Sequence, residues 1–186
     1  MIGVLVSGSG TNLQALVDEA LPIAGVASNV PGVRALERAE RAGIPWAVFP
    51  LDDYETREER DLAMADWLEG RGVRLVVCAG YMHLLTPAFL ARFPQGVINV
   101  HPSLLPAFPG THAVQDALSS GVAETGVTVH DVDDGIDSGY VIAQERVTIL
   151  PGDTEETLLE RLHAVEHRLL PQATREVFAA RLDSHV

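Results

Sequence analysis

The sequence lacks several features by which common protein classes are recognised. It contains a single cysteine, Cys78, so no internal disulfide can form, and this cysteine lies in the apolar segment "LVVCAG". A small buried thiol is typical of proteins in a reducing compartment, and we expect a cytoplasmic protein. No apolar run reaches the ~18 residues that a membrane-spanning helix needs. No basic region precedes the short apolar stretch at the N-terminus, which argues against a signal peptide.

Positive charge is also scarce. The chain has 13 Lys and Arg against 26 Asp and Glu, for a formal net charge of −13, and no basic block interrupts this excess. This balance argues against nucleic acid or an anionic membrane as the main partner. A small anionic substrate remains possible, because backbone amides and one or two arginines can bind a phosphate locally.

Apolar and amphipathic segments alternate through the first hundred residues. The apolar segments are nearly continuous and rich in β-branched residues, and each is followed by a stretch with helical spacing, as in "TNLQALVDEAL". Four of these apolar segments are 2–7, 23–28, 73–80 and 96–100. Such alternation is typical of parallel strands covered on both faces, so we expect a Rossmann-like, doubly wound α/β fold with a mainly parallel sheet.

The pattern changes after Gly110. Segments 124–132 and 139–149 alternate apolar and polar residues, which predicts half-exposed antiparallel strands in the C-terminal part. The stretch that begins at Asp153 predicts a helix capped by this aspartate, with Glu156 completing a capping box. Its buried stripe is expected to be Leu158, Leu162, Val165 and Leu169. With no linker, repeat or low-complexity tract, we expect a single domain.

A glycine-rich turn, "SGSGTN" at 7–12, joins the first strand to the first helix. Glycines permit a tight turn, and the free amides of the following helix bind an anion. The chain has neither the third glycine and acidic residue of a dinucleotide fingerprint nor the Gly-Lys-Ser/Thr of a Walker loop. The turn therefore favours a monophosphate over NAD or ATP, with a plain structural turn as the alternative.

Asn99 and His101 are alternate residues at the end of the strand "GVINV", so their side chains point to the same side. A carboxamide beside an imidazole suits stabilisation of an oxyanion at a carbonyl under attack. Pro102, Pro106 and Pro109 stiffen the segment that follows. Because ligands of open α/β sheets bind beyond the carboxyl ends of the strands, we expect this pair to lie near the glycine turn.

The segment "HDVDDGIDSG" at 130–139 carries four aspartates. Its spacing does not fit a calcium loop, which ends on a distal glutamate. A solvated turn is the ordinary explanation for such a run. The functional alternative is that Asp137 orients a catalytic imidazole or a water molecule.

The segment "HAVEH" matches the H-x-x-E-H pattern of some zinc peptidases, with His163 and His167 one helical turn apart. Such a site needs a further ligand downstream, and few residues remain, so we expect no metal and place both histidines on an exposed or rim face. Ser103 lacks the G-x-S-x-G context of an activated nucleophile.

Taken in order, "SGSGTNLQAL", "VVCAGYMHLLTPAFL", "INVHPSLLPAFPGTHA" and "TGVTVHDVDDGIDSG" resemble segments of the phosphoribosylglycinamide formyltransferase family. These are the folate-dependent formyltransferases of de novo purine synthesis. The resemblance extends from residue 1 to about residue 175, with the segments in the family's order and spacing.

The resemblance implies an enzyme that transfers the formyl group of 10-formyltetrahydrofolate to the amine of glycinamide ribonucleotide. The catalytic residues would be Asn99, His101 and Asp137. The substrate phosphate and ribose would be bound by Gly10, Thr11, Asn12 and Glu166. Folate would be bound by Arg57, Met82, His83, Leu84, Leu85, Asn99 and Asp134. His112 and His130 also match family positions and are expected to support the site.

The resemblance further implies a single formyltransferase domain over residues 1–186, with a nucleotide-binding half at 1–100 and a folate and catalytic half at 101–186. The expected partners are the two small-molecule substrates, without metal, membrane or nucleic acid, and the protein is expected to be a monomer or a homodimer. Two departures from the family pattern stand out. His83 replaces the usual arginine after the methionine of the folate segment, and "SNVPGV" replaces the usual Ser-Asn-Lys.

Three rival functions share parts of this pattern. Formyltetrahydrofolate hydrolase shares the core and is expected to carry an additional N-terminal domain, whereas this chain begins at its first strand. Methionyl-tRNA formyltransferase is expected to carry a C-terminal RNA-binding domain and a basic surface. A non-catalytic folate- or nucleotide-binding protein would not require Asn99, His101 and Asp137 together.

Overall fold

A seven-stranded sheet organises the structure, a computed structural model that describes residues 1–182. The strands are β1 (Ile2–Val6), β2 (Ile23–Ser28), β3 (Trp46–Val48), β4 (Leu75–Cys78), β5 (Val97–His101), β6 (Glu124–Asp131) and β7 (Val141–Thr148). Their order in the sheet is β3-β2-β1-β4-β5-β6-β7. The first five pair in parallel, and β6 and β7 are added antiparallel, so the predicted fold class is confirmed.

Helices cover both faces of this sheet. They are α1 (Thr11–Asp18), α2 (Arg34–Arg41), α3 (Arg57–Glu69), α4 (Pro87–Arg92), α5 (Ala113–Ser120) and α6 (Glu155–Leu182). One apolar core joins the sheet to α1, α2, α5 and α6, and a second core joins the opposite face to α3 and α4. Because both faces are buried, every residue of β1 and β4 is buried, which explains their uninterrupted apolar sequences. Within the described residues, no helix combines the length and apolarity needed to cross a membrane.

Strand β6 is more buried than its alternating sequence predicts. All residues from Thr125 to His130 are buried, because β6 lies between β5 and β7 and both of its faces are covered. The side chain of Leu104 lies against the backbone of Gly126, where an added Cβ would come within 2.4 Å of it. The expectation of a half-exposed strand therefore holds only for the edge strand β7.

Helix α6 begins one residue later than expected and is longer. Thr154, not Asp153, caps it, since the Thr157 amide donates to the hydroxyl of Thr154 at 3.3 Å. Asp153 instead forms an ion pair with Arg161. The helix continues through Pro171, although proline cannot donate the helical hydrogen bond, because the residues beyond it are packed against the sheet. Leu158, Leu162 and Leu169 are buried as predicted, whereas Val165 is half-buried.

Helix α3 buries charged residues that its apolar spacing does not predict. Arg60 and Asp61 are both 0% exposed, whereas the neighbouring Leu62 is half-buried. Met64, Ala65 and Leu68 complete the buried face. The buried charges lie near the N-terminus of α3, which begins at Arg57 with a capping box between Thr56 and Glu59.

Candidate active site

A cleft of about 580 Å³ opens at the carboxyl ends of β1, β4 and β5. The chain proceeds from β1 to β2 on one side of the sheet and from β4 to β5 on the other, so strand order reverses between β1 and β4. This is the position at which open α/β sheets bind ligands. The turn after β1, the segments after β4 and β5 and the 132–137 segment all line the cleft. The glycine turn and the pair of Asn99 and His101 thus lie at the same edge of the sheet, as the sequence predicts.

The turn after β1 requires glycine at position 10. Gly10 has φ +74°, and a Cβ there would lie 2.6 Å from the backbone of Ala35, so a side chain would be both strained and blocked. Thr11 and Asn12 then form the first turn of α1 beside the cleft. Three sequence-predicted phosphate residues therefore lie together at a helix N-terminus.

Asn12 reaches from this turn to α6. Its Nδ2 donates to Oε2 of Glu166 at 2.9 Å, over a separation of 154 residues. Burial raises the pKa of Glu166, and the hydrogen bond from Asn12 and the nearby His163 and His101 oppose this shift. A buried carboxylate with one oxygen left beside the cleft suits a ligand hydroxyl, which can donate to it.

Asp137 lies between two imidazoles. Its Oδ2 is 3.5 Å from Nδ1 of His101, and its Oδ1 is 3.6 Å from Nε2 of His130. The amide of Gly110 donates to Oδ2 at 2.8 Å, which fixes the carboxylate in this position. The cluster is largely buried, since His101 is 5% exposed and His130 is 2% exposed.

The other nitrogen of each imidazole donates to a backbone carbonyl. Nε2 of His101 lies 2.8 Å from the oxygen of Phe108, and Nδ1 of His130 lies 2.9 Å from the oxygen of Asp131. Because a carbonyl only accepts, these two nitrogens carry protons. The nitrogens that face Asp137 therefore carry no proton in the neutral form of either ring.

Asn99 completes the cluster. In the pairing of β5 with β6 it lies opposite His130, and its Nδ2 is 3.3 Å from Nε2 of that ring. A neutral His130 accepts this hydrogen bond, which orients the amide and leaves the second N–H of Asn99 for another acceptor. The structure thus brings together the three residues for which the sequence predicts catalytic roles.

Hydrogen bonds to β6 and β7 hold the proline-rich segment behind His101. Thr128 donates to the carbonyl of Ser103 at 2.7 Å, and Gln144 donates to the carbonyl of Leu105 at 2.9 Å. Ser103 is fully buried and donates to the carbonyl of Ala107, so it is a structural residue. The sequence pointed to the prolines as the stiffening element and missed these partners, which only strand pairing brings into reach.

The segment that carries Asp137 is a loop whose two ends lie close together. The Asp131 amide donates to the Tyr140 carbonyl at 2.9 Å, and a Cβ at Gly139 would lie 1.7 Å from the Asp131 oxygen. Asp137 itself has φ +51°, an uncommon conformation for a residue other than glycine. Asp134, for which the resemblance implies a folate contact, is exposed and lines the cleft.

The segment after β4 presents apolar side chains to the cleft. Met82 is 63% exposed and Leu84 is 54% exposed, whereas Leu85 is buried. The Met82 amide donates to Ser7 Oγ at 2.9 Å, and Ser7 donates in turn to Asn29 Oδ1 at 2.5 Å. Ser7 and Asn29 thus join three strand ends, a role that no motif in the sequence indicates.

Two predicted residues lie outside the lining of the cleft. Arg57 is exposed at the start of α3, where its guanidinium acts at a distance on His83 and Tyr81. His112 is exposed at the N-cap of α5. His163, by contrast, is exposed and lines the cleft beside Glu166.

The residues described, 1–182, contain no group of three His, Cys, Asp or Glu side chains arranged to hold a metal ion. Glu166 of "HAVEH" accepts a hydrogen bond from Asn12. The rings of His163 and His167 in the same segment stack on each other, with ring centroids 6.2 Å apart.

Fold and cleft together define a doubly wound α/β protein with a small-molecule site at its switch point. The sequence matches the formyl transferase family over residues 1–174. The chain belongs to the formyl transferase family.

Sequence relatives and solved structures show which members of this family the chain is similar to. A phosphoribosylglycinamide formyltransferase of Mycobacterium tuberculosis (strain ATCC 25618 / H37Rv) is 47% identical over 174 residues, which cover 91% of this chain and 81% of the relative. Glycinamide ribonucleotide transformylase 1 from Symbiobacterium toebii superimposes with a TM-score of 0.90 at 47% identity, covering 92% of this chain and 84% of that chain. The corresponding enzyme from Geobacillus kaustophilus gives a TM-score of 0.91 at 45% identity, covering 95% and 97%.

Longer relatives contain the same region as one part. The trifunctional purine biosynthetic protein adenosine-3 of Chironomus tentans is 45% identical over 184 residues, which are 95% of this chain and 13% of that protein. The chain spans 13% to 18% of the length of the trifunctional relatives from Chironomus tentans and Gallus gallus.

Proposed function

We propose that this protein transfers the formyl group of 10-formyltetrahydrofolate to the amine of glycinamide ribonucleotide. The products are formylglycinamide ribonucleotide and tetrahydrofolate, in de novo purine synthesis. The observation that carries this proposal is the cluster of Asn99, His101 and Asp137, which lies in one cleft with the anion-binding turn at Gly10.

The ribonucleotide binds at the end of the cleft formed by α1. Its phosphate accepts hydrogen bonds from the free amides of the first turn, at Thr11 and Asn12, where the helix dipole also favours an anion. A ribose hydroxyl donates to the carboxylate of Glu166 that Asn12 holds in place. These contacts place the glycine amine of the substrate toward Asn99 and His101.

The formyl-folate binds along the segment after β4. The side chains of Met82, Leu84 and Leu85 cover one face of the planar ring, and backbone groups of the same segment meet its polar edge. Asp134 and Arg57 contribute contacts to the folate at the periphery of this site. This arrangement brings the formyl carbon beside the substrate amine and supplies part of the acceleration by proximity.

The reaction is an acyl transfer between two nitrogens. The amine lone pair attacks the formyl carbon, and the free N–H of Asn99 donates to the oxygen that becomes negative, whose charge the imidazolium of His101 also stabilises. Asp137 stabilises this imidazolium and serves as the acceptor through which the proton of the attacking amine passes, by way of water, to N10 of folate. The bond from carbon to N10 then breaks and releases tetrahydrofolate.

We further propose that residues 1–186 form one formyltransferase domain that acts in the cytoplasm without a metal. The sheet supports this, because strands from 1–100 and from 101–186 are hydrogen-bonded in one order. The nucleotide-binding half at 1–100 and the folate-binding half at 101–186 are joined at the site by the hydrogen bond from Asn12 to Glu166. Burial raises the pKa of Cys78 to about 12, which keeps this thiol unreactive.

Formyl transfer is tested by mixing the purified protein with 10-formylfolate and following folate absorbance with and without glycinamide ribonucleotide. We expect folate release that depends on the ribonucleotide and yields one formylated product per folate. Release at the same rate without ribonucleotide would reject transfer and favour the hydrolase.

A further inference from the structure

The side chains of Arg60 and Asp61 form a buried ion pair at the start of α3. Both are 0% exposed, and Nε of Arg60 lies 2.7 Å from Oδ1 of Asp61. Transfer of two charges out of water costs free energy that their attraction often fails to recover, so such a pair is weak evidence for a stabilising role. A role in holding a neighbouring segment is the alternative.

Both charged groups reach from α3 to the segment that follows β4. Nη1 of Arg60 lies 3.2 Å from Nδ1 of His83, and the amide of Thr86 donates to Oδ2 of Asp61 at 2.8 Å. A guanidinium only donates, so Nδ1 of His83 accepts and the ring carries its proton on Nε2. The ion pair therefore holds the segment at two points, on either side of Leu84 and Leu85.

The charges around His83 favour this neutral ring. Burial lowers its pKa, and the guanidinium groups of Arg60 and Arg57 lower it further, whereas Asp61 opposes them. The ring of Tyr81 packs edge-on against it, with ring centroids 6.1 Å apart. A neutral imidazole keeps the lone pair that the hydrogen bond from Arg60 needs.

We propose that Arg60 is a positioning residue for the folate-binding segment 81–85, which it holds through His83. This inference rests on the proposed function, because it assigns a role to a residue behind the folate-binding segment. Arg60 does not line the cleft, and it acts on the ligand only through the segment it holds. Its loss should therefore weaken folate binding and spare the ribonucleotide.

The experiment measures binding of 10-formylfolate by calorimetry, together with KM for each substrate. The variants are Arg60→Met, His83→Leu and the double variant, with Arg71→Met as a control for loss of an arginine beside the same helix. We expect each single variant to weaken 10-formylfolate binding about tenfold or more, with an unchanged KM for the ribonucleotide. In the double variant the second substitution should add little, because both changes break the same hydrogen bond.

Each outcome decides one question. If the native protein does not bind 10-formylfolate, the proposed function fails. If it binds and the single variants bind equally well, or if the two effects add in full, the role of Arg60 through His83 is rejected. If Arg60→Met does not fold, because Asp61 is left buried without its partner, Arg60→Lys replaces it in the cycle. Lysine retains the charge and lacks the second nitrogen that reaches His83.

Discussion

At the scale of single residues, each of the two imidazoles beside Asp137 has one ring nitrogen engaged in a hydrogen bond to the backbone. His101 and His130 each donate one N–H to a carbonyl and turn the other nitrogen to Asp137. The separations of 3.5 and 3.6 Å exceed the ~2.8 Å of a direct charge-assisted hydrogen bond, so Asp137 faces both rings without bonding directly to either.

Asp137→Asn should lower kcat by ~10²–10⁴-fold, because a neutral amide does not stabilise the imidazolium or accept the transferred proton. Substrate binding by calorimetry should change little, since the oxygen of asparagine still accepts from the amide of Gly110. Asp133→Asn is the matched control in the same segment, where Asp133 only accepts from Gly135 and Ser138. A comparable loss of binding in Asp137→Asn would assign that residue a structural role.

Glu166→Gln should combine higher stability with weaker ribonucleotide binding. Burial raises the pKa of Glu166 above its ordinary 4.5, so ionisation is disfavoured in the folded state. The stability of the native protein should therefore fall, relative to the variant, as pH rises from the ordinary pKa through the raised one. The single oxygen of glutamine can still accept from Asn12, but its NH2 group then replaces the oxygen that would accept from a ribose hydroxyl, so KM for the ribonucleotide should rise about tenfold.

Thermal unfolding of both proteins between about pH 4 and pH 8 checks the stability difference, with Glu160→Gln on the exposed face of the same helix as the control. A stability difference that does not vary with pH would contradict the explanation by burial.

At the scale of elements, α6 connects the two ends of the site. Glu166 near its middle meets the turn at Asn12. Arg181 near its end pairs through both terminal nitrogens with the carboxylate of Asp131, at 2.7 and 2.9 Å, and also donates to the carbonyl of Gln95. Asp131 is the residue from which the segment carrying Asp137 departs, so the C-terminal turn of α6 anchors that segment.

Arg181→Met should loosen the segment 131–140 and lower Tm by a few degrees. The loss should be modest because the ion pair of Arg181 with Asp131 is partly exposed, and each kcal/mol of stability corresponds to about 2–4 °C in Tm for a chain of this size. Hydrogen exchange of the 131–140 amides should increase. Arg175 lies on the same helix as Arg181 and forms a more exposed ion pair with Glu19, the residue after α1. Arg175→Met, which breaks that pair, should change neither Tm nor the exchange of the 131–140 amides measurably. Equal effects of the two variants would mean that Arg181 acts only through general helix stability.

At the scale of the whole molecule, the strand order explains why distant motifs share one cleft. Crossovers leave β1 beside β4 and β4 beside β5, so the segments after these strands emerge side by side. The antiparallel register of β6 then places His130 opposite Asn99. The sequence predicts the first arrangement from a general rule of α/β sheets, whereas the second depends on a register that no local pattern specifies.

By itself, the sequence determined the α/β class, the glycine turn, the alternate placement of Asn99 and His101 and the family, because local periodicity and motif spacing carry these properties. Tertiary structure decided the burial of β6, the continuation of α6 through Pro171 and the contact of Arg60 with His83. These features are set by partners far along the chain, whose packing and hydrogen bonds override the preference of each segment taken alone.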